Sequence, residues 1–464
     1  MVNINRQYLN NYKGWNETLL LVFESLLMDI PLSLCFSSVS ILTADMIGVI
    51  IILLFIRGMD KKTLLHLGIY KIIAVAFVLL VYYGSIQTYG APYFIGGSDD
   101  LHFEDTASLF LKNNYKWPWD YPIETNCSGM YWLLSQLMKI SGGEQYYSTF
   151  AFRVLNIDFL MAIGVIAYKI ARYSLRLEKT QAKLIMLSVI FFPNAIYLSS
   201  YVFRDTLCCL IIVIAYAICE DITRNSLEPI ICRNRFLSTL YILVLAFFAY
   251  WLRKELLFLM LVVFCISFAG DRITRNRLLI MFMAAVFALV ILVRFHAISF
   301  ILAKASRYVL YHYQYIAEKN SSELYSKIFL TPVFPLGICY RTLYGFVFPL
   351  PTGIIQFFNI FNNGLTFVNF IVSLGSCYQV VMLPFLISGL RRVNRISLVF
   401  WAEFLSIILT TFTFRHFIMI YPFMFVIIFN EYYHFSIKKR QRYFWLGLTV
   451  LCVLAAVYIL YKFV

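Results

Sequence analysis

The chain has 464 residues, of which 61% are hydrophobic and 14% charged, with a mean hydropathy of +0.77. No soluble domain can bury that much apolar surface, and long unbroken apolar runs lack the alternation of barrel strands. The formal charge of +15 does not point to nucleic acid, because Lys and Arg fall mainly in short loops between alternate apolar runs.

The expected fold is all-α: a single polytopic integral membrane domain over residues 1–464, with about thirteen transmembrane helices of roughly 17–25 residues each. The spans start near Glu17, Leu42, Leu67, Phe150, Leu184, Arg204, Phe236, Glu255, Arg277, Gly364, Ile396, His416 and Tyr443. No small-residue cleavage site follows the first polar stretch, so it does not read as a signal peptide. Residues 90–149 form an extended, acidic and aromatic outer loop after the third span, with an apolar helix beginning at Gly129. Within a second long connection, residues 298–363, the stretch Ile328–Phe361 is apolar but broken by Pro332, Pro335, Pro349 and Pro351. Proline removes helix donors, so this stretch reads as re-entrant or interfacial. The ten cysteines contain no CxxC pair and read as small apolar residues rather than as a disulfide or zinc framework.

With a cytoplasmic N-terminus, 23 of the 39 Lys and Arg fall on the inner side, in every short inner loop. This is the positive-inside pattern. It places the acidic loop and Arg204, Arg253, Arg307, Arg341 and Arg415 outside, where topology alone does not require cations.

The segment from Pro92 to Gly129 carries six of the chain's 24 acidic residues. Asp99, Asp100, His102 and Glu104 head the cluster, and Asp100 and Glu104 share one face if the segment is helical. A carboxylate here suits deprotonation of an attacking hydroxyl, or holding a divalent cation (Mg or Mn) with His102; the alternative is a solvated loop. Trp117 and Trp119 suit stacking on sugar rings and equally suit anchoring at a membrane interface. Arg204 offers a planar fork for a phosphate or pyrophosphate, whereas Asp205 reads as a helix cap or as a partner of Arg204. Arg253-Lys254-Glu255 marks a tight turn between spans. Arg307 lies in Lys304–Tyr315, which interleaves cations with aromatics as an interfacial helix or a lipid-phosphate platform. Arg341 and the Arg415-His416 pair sit at outer boundaries, where snorkelling to headgroups is the other reading. The charges within spans (Glu24, Lys71, Arg153, Asp158 and Glu403) are too few for a transport relay, and Arg153 and Asp158 are placed to pair within one helix.

The order of these features resembles the GT-C superfamily of membrane glycosyltransferases and the related bacterial polysaccharide repeat-unit polymerases. The resemblance is carried by Ser98-Asp99-Asp100, Ser128–Leu134, Gly142-Gly143, Arg153-Val154-Leu155-Asn156, Phe192-Pro193-Asn194, Phe203–Leu207 and Arg415-His416 with Tyr421-Pro422. It covers residues 90–220 well and the remainder in general layout. It implies a polyprenyl-phosphate- or pyrophosphate-linked glycan as donor, used at the outer face of a bacterial inner membrane beside other envelope polysaccharide assembly proteins. Asp99 or Asp100 takes the base or metal-ligand role, and Arg204, Arg341 and Arg415 hold the anionic lipid-linked glycan. The chain ends on a span rather than on a soluble domain, and two spans precede the usual first one. Both features favour an O-antigen-type polymerase over a transferase of single sugars to lipid, glycan or protein. A flippase for lipid-linked oligosaccharides requires two repeated halves, and the sequence contains no such repeat. The enzyme reading requires the outer carboxylates and arginines to converge at one place.

Overall fold

The computed structural model describes residues 19, 21–56, 59–122, 126–224, 229–232, 234–269, 328, 331, 333–350, 352–355, 359, 361–409 and 414–463; Arg307 lies outside them. The described chain is 83% helical and contains no strand. Its helices are α1 (residues 21–35), α2 (Ser40–Phe55), α3 (Lys61–Tyr89), α4 (Asp99–Lys112), α5 (Ser128–Ile140), α6 (Phe150–Lys169), α7 (Lys179–Ile190) and α8 (Pro193–Ser199). They continue as α9 (Asp205–Arg224), α10 (Arg235–Leu252), α11 (Lys254–Ala269), α12 (Ile338–Val347), α13 (Gly364–Leu390), α14 (Arg395–Leu409), α15 (Tyr421–His434) and α16 (Ile437–Phe463), with a four-residue turn, Thr352–Ile355, ahead of α13.

Six of the described helices are long and apolar enough to cross a membrane, and α7 with α8 forms a seventh candidate, bent by 48°. The bend is local chemistry. Phe192 precedes a proline and adopts an extended conformation, and Pro193 opens α8. Asn194 braces the break by donating to Ser376 Oγ on α13 at 2.9 Å.

Burial sorts the helices into centre and rim. Every residue of α6 is buried, and α2, α3, α7, α8, α9 and α15 all pack on it. By contrast only 17% of the apolar stretch of α10, and 6% of that of α16, is buried. Phe236, Leu243, Trp445 and Leu460 face outward there. In water such faces would collapse; in a bilayer they meet a solvent as apolar as themselves.

Two groups of polar contacts lie at opposite ends of the bundle. At one end Lys179 pairs with Asp60, Lys169 donates to the Ile230 carbonyl, Arg395 pairs with Glu220 and Arg392 with Glu431. Asp60, Lys169, Lys179, Ile230, Arg392 and Arg395 lie in or beside basic connections between helices, so these described connections share one end. Residues 90–149 lie at the other. They contain the helix expected from Gly129, α5, and a further helix, α4, which packs along it; α5 in turn rests on α2 and α10. Ser38, in the α1–α2 turn, ties down this cap by donating to the Tyr146 carbonyl.

If the bundle crosses a membrane, Lys116→Cys in the cap and Arg176→Cys at the basic end will react with an impermeant thiol reagent from opposite sides. Labelling of both in intact cells would refute this arrangement.

Candidate functional site

The cap end gathers charged side chains from segments far apart in sequence, and it is held together by hydrogen bonds to backbone carbonyls. On the central helix, Arg153 donates to the carbonyls of Ser200 (2.7 Å) and Pro92. Three residues on, Asn156 donates to the carbonyls of Tyr201 (2.9 Å) and Phe203 (3.1 Å). One face of α6 thus satisfies the non-helical backbone between α8 and α9, where interior carbonyls would otherwise lack donors. Arg153 and Asp158 do not pair, contrary to expectation. Five residues apart, they point in different directions, and Asp158 meets Lys71 instead.

The segment fixed in this way presents Arg204 and Asp205. Arg204 reaches across to the cap, its Nη1 donating to the carbonyls of Asn126 and Leu252 and to Cys127 Sγ. It acts as a strut between the start of α5 and the end of α10. Gly129 permits this approach, because a Cβ there would sit 2.8 Å from the Trp251 carbonyl carbon. Asn126, a residue the sequence reading missed, is the other half of the joint. It accepts from the Lys254 amide at 3.0 Å and donates to both Glu255 oxygens at 2.9 and 2.7 Å. Only its place just before an apolar helix hinted at a structural role.

Asp205 is the centre of the charged group. Arg253 Nη1 and Arg415 Nε lie 3.6 Å from its carboxylate, and His416 Nε2 lies 3.5 Å away. Asp205 is buried and opens α9, where the helix dipole also favours a negative charge. Arg415 extends further to pair with Asp99, whose side chain remains half exposed. The Arg415 guanidinium also lies 5.0 Å from the Phe203 ring centre. Four separate stretches (Asp99, Arg204-Asp205, Arg253 and Arg415-His416) therefore meet. Sequence order alone could not reveal this.

The two adjacent aspartates take different positions. Asp100 is fully buried and accepts from the amides of Phe94 (2.7 Å), Leu101 (3.1 Å) and Ser98 (3.2 Å). It pins a tight turn in which Ile95 has φ +51°, a strained conformation for a β-branched residue. Burial pushes the Asp100 carboxyl up from its ordinary range, against the pull of those amides. Glu104 shares that face of α4, as the spacing predicts, and accepts from the hydroxyls of Tyr93 and Tyr147, both at 2.8 Å. Asp99, on the neighbouring face, is the one that reaches the arginines.

His102 lies beside Tyr131, Nε2 being 3.3 Å from the hydroxyl. Trp117 and Trp119 stack with centroids 5.1 Å apart and planes 9° apart, and Trp119 also meets Trp251 at 5.7 Å. Asp120 fixes their turn by accepting from the amides of Lys116 and Trp117 at 2.9 Å. Both indoles remain about half exposed, next to the helix end that leads into Arg253. Arg341 is buried on α12 and donates to the Ile408 carbonyl of α14 at 3.2 Å. It belongs to a neighbouring helix contact rather than to the Asp205 group. Among the described residues, no three His, Cys, Asp or Glu side chains form a set suited to a metal ion. Asp99 and Asp205 both face guanidinium groups.

No family model, curated protein or solved structure matches this chain.

Two outcomes test this geometry. Arg153→Met strips the Ser200 and Pro92 carbonyls of their donor and should destabilise the fold by about 3 kcal/mol, read as a lowered melting temperature in detergent. His416 is held below the usual histidine range, first by burial and then by Arg253. The folded protein therefore binds fewer protons there than the unfolded chain, so the contribution of His416 to stability falls as pH drops below about 6.5. Between about pH 6.5 and 5 the melting temperature of wild type should therefore drop relative to that of His416→Gln.

Proposed function

We propose that this protein is a polytopic membrane glycosyltransferase acting at the outer face of a bacterial inner membrane, most simply a polysaccharide or O-antigen repeat-unit polymerase. One observation carries the reading: Asp99, Asp205, Arg253, Arg415 and His416 converge at the end of the bundle opposite the basic loops. In this proposal the chain has about thirteen spans with a cytoplasmic N-terminus, and residues 328–361 form a re-entrant element. Its substrates are polyprenyl-phosphate- or pyrophosphate-linked glycans taken from the bilayer.

The chemistry turns on an exchange of partners. At rest Arg415 holds Asp99. A half-exposed pair of this kind is worth no more than about 1 kcal/mol. A donor phosphate offers Arg415 charge-assisted hydrogen bonds worth more, roughly 1.5–3 kcal/mol each. Phosphate docking therefore draws Arg415 away and frees Asp99. The acceptor hydroxyl gives its proton to Asp99 as its oxygen attacks the anomeric carbon, and the bond to the phosphate oxygen breaks. Arg415, supported by Arg253, offsets the charge growing on the departing phosphate. Asp205 holds both arginines and is not spent in the step. The exposed Trp117–Trp119 pair, beside Arg253, offers flat faces for a sugar ring. No step requires a divalent cation.

Asp99→Asn removes the base and should lower polymerisation by roughly 10²-fold or more, leaving short chains or single repeat units on the lipid carrier. Arg415→Gln should behave likewise, with a raised requirement for donor. Unchanged glycan length in both variants, at normal expression, would refute the assignment.

A further inference from the structure

A second group of charges lies deep among the helices, away from the site above. Lys71, on α3, pairs with Asp45 of α2 and with Asp158 of α6 (3.0 Å), and it donates to Ser25 Oγ of α1 (2.9 Å). Asp29 of α1 stands beside Asp45. Asp45 lies within hydrogen-bonding reach of both Asp29 and Asp158. Asp29, Asp45 and Asp158 are all fully buried, and Lys71 is 3% exposed. Gly48 makes room for this group, because a Cβ there would collide with the Asp158 carboxylate.

The surroundings supply no further cation. Arg153 of α6 is committed to the Pro92 and Ser200 carbonyls. Tyr70 of α3 is fully buried, and its hydroxyl has no hydrogen-bond partner among the described residues. Glu24 of α1 packs on Gly68 and adds only negative charge. Neither oxygen of Asp29 is met by a donor among the described residues other than a neighbouring carboxyl.

Counting charges decides what the group must hold. Three carboxylates against one ammonium leave two negative charges in an interior that cannot solvate them. Two acceptor-only carboxylates cannot bond to each other, so each of the two contacts, Asp29 to Asp45 and Asp45 to Asp158, needs one proton. Two protons satisfy both contacts and bring the net charge to zero. No metal-binding set occurs among the described residues.

We propose that Asp29, Asp45, Asp158 and Lys71 form a binding site for two protons, which lock α1 and α2 onto α3 and α6. The protons belong to the group as a whole, because each is shared between two carboxyls in contact. In the unfolded chain the aspartates release them above about pH 4. The folded state thus binds more protons than the unfolded one at neutral pH, and stability declines as pH rises. This inference does not depend on the glycosyltransferase reading.

The test is the infrared carbonyl stretch of protonated carboxyl groups in the full-length protein, reconstituted in nanodiscs at neutral pH. Asp29→Asn or Asp158→Asn should each remove one carboxyl equivalent, and the double variant two, leaving Asp45 and Lys71 as a simple ion pair. The melting temperature should be the same in sodium and choline chloride. A band unchanged in the double variant would overturn the proposal, as would sodium-dependent stabilisation of wild type that Asp29→Asn abolishes, which would mark a cation in the protons' place. If the variants fail to fold, wild type decides: its melting temperature must fall between about pH 7 and 9, and a rise would refute the site.

Discussion

The cap end of this protein depends on a supply of donors. Where the chain leaves α8 and has not yet entered α9, its carbonyls lie in the interior without helical partners. Each such group left unmade costs about 1–3 kcal/mol. Arg153 and Asn156, on one face of the most buried helix, answer four carbonyls in two segments. Because that backbone is fixed, Arg204 and Asp205 leave it in defined directions. One then braces the cap while the other gathers Arg253, Arg415 and His416. The charged group is a consequence of backbone accounting in a medium that offers no water.

The two polar groups show how burial divides similar residues between roles. Asp99 and Asp100 are chain neighbours, yet one meets an arginine at the surface and the other is enclosed by three amides. An exposed pair can exchange partners at little cost, and an enclosed carboxylate cannot. In the interior group, keeping one aspartate protonated at pH 7 costs about 4 kcal/mol relative to its ordinary behaviour in water. Burying it ionised and uncompensated costs at least several kcal/mol, with no partner to offset it. The balance favours protons, and the same balance explains why Lys71 remains charged between two acids.

Much of the design was legible in the sequence. Apolar run lengths announced an all-helical chain with helices long enough to cross a membrane, and several basic connections gather at one end of the described bundle. The four-residue spacing of Asp100 and Glu104 placed them on one face of a helix, as found. Other features were not legible. The part of residues 90–149 ahead of Gly129 read as a loop because a short amphipathic helix such as α4 carries a weak apolar signal and takes its stability from packing on neighbours. Arg153 read as a partner of Asp158 because both lie in one span, although the acceptors Arg153 serves are backbone carbonyls, which no sequence pattern marks. Asn126 gave no signal beyond its place before a helix.

The sequence by itself determined the helical secondary structure, the length of its apolar runs and the sorting of charge, since these follow from composition and from local periodicity. Only the tertiary structure decided which charges meet. Asp99 and Arg415 are 316 residues apart in sequence, and Lys71 and Asp158 approach from different helices. Such contacts are set by how helices cross, through packing of side chains that one-dimensional patterns do not encode. The same crossing made Asp100 a pin and Asp99 a free hand, because a turn of one residue on α4 exchanges an enclosed face for an open one.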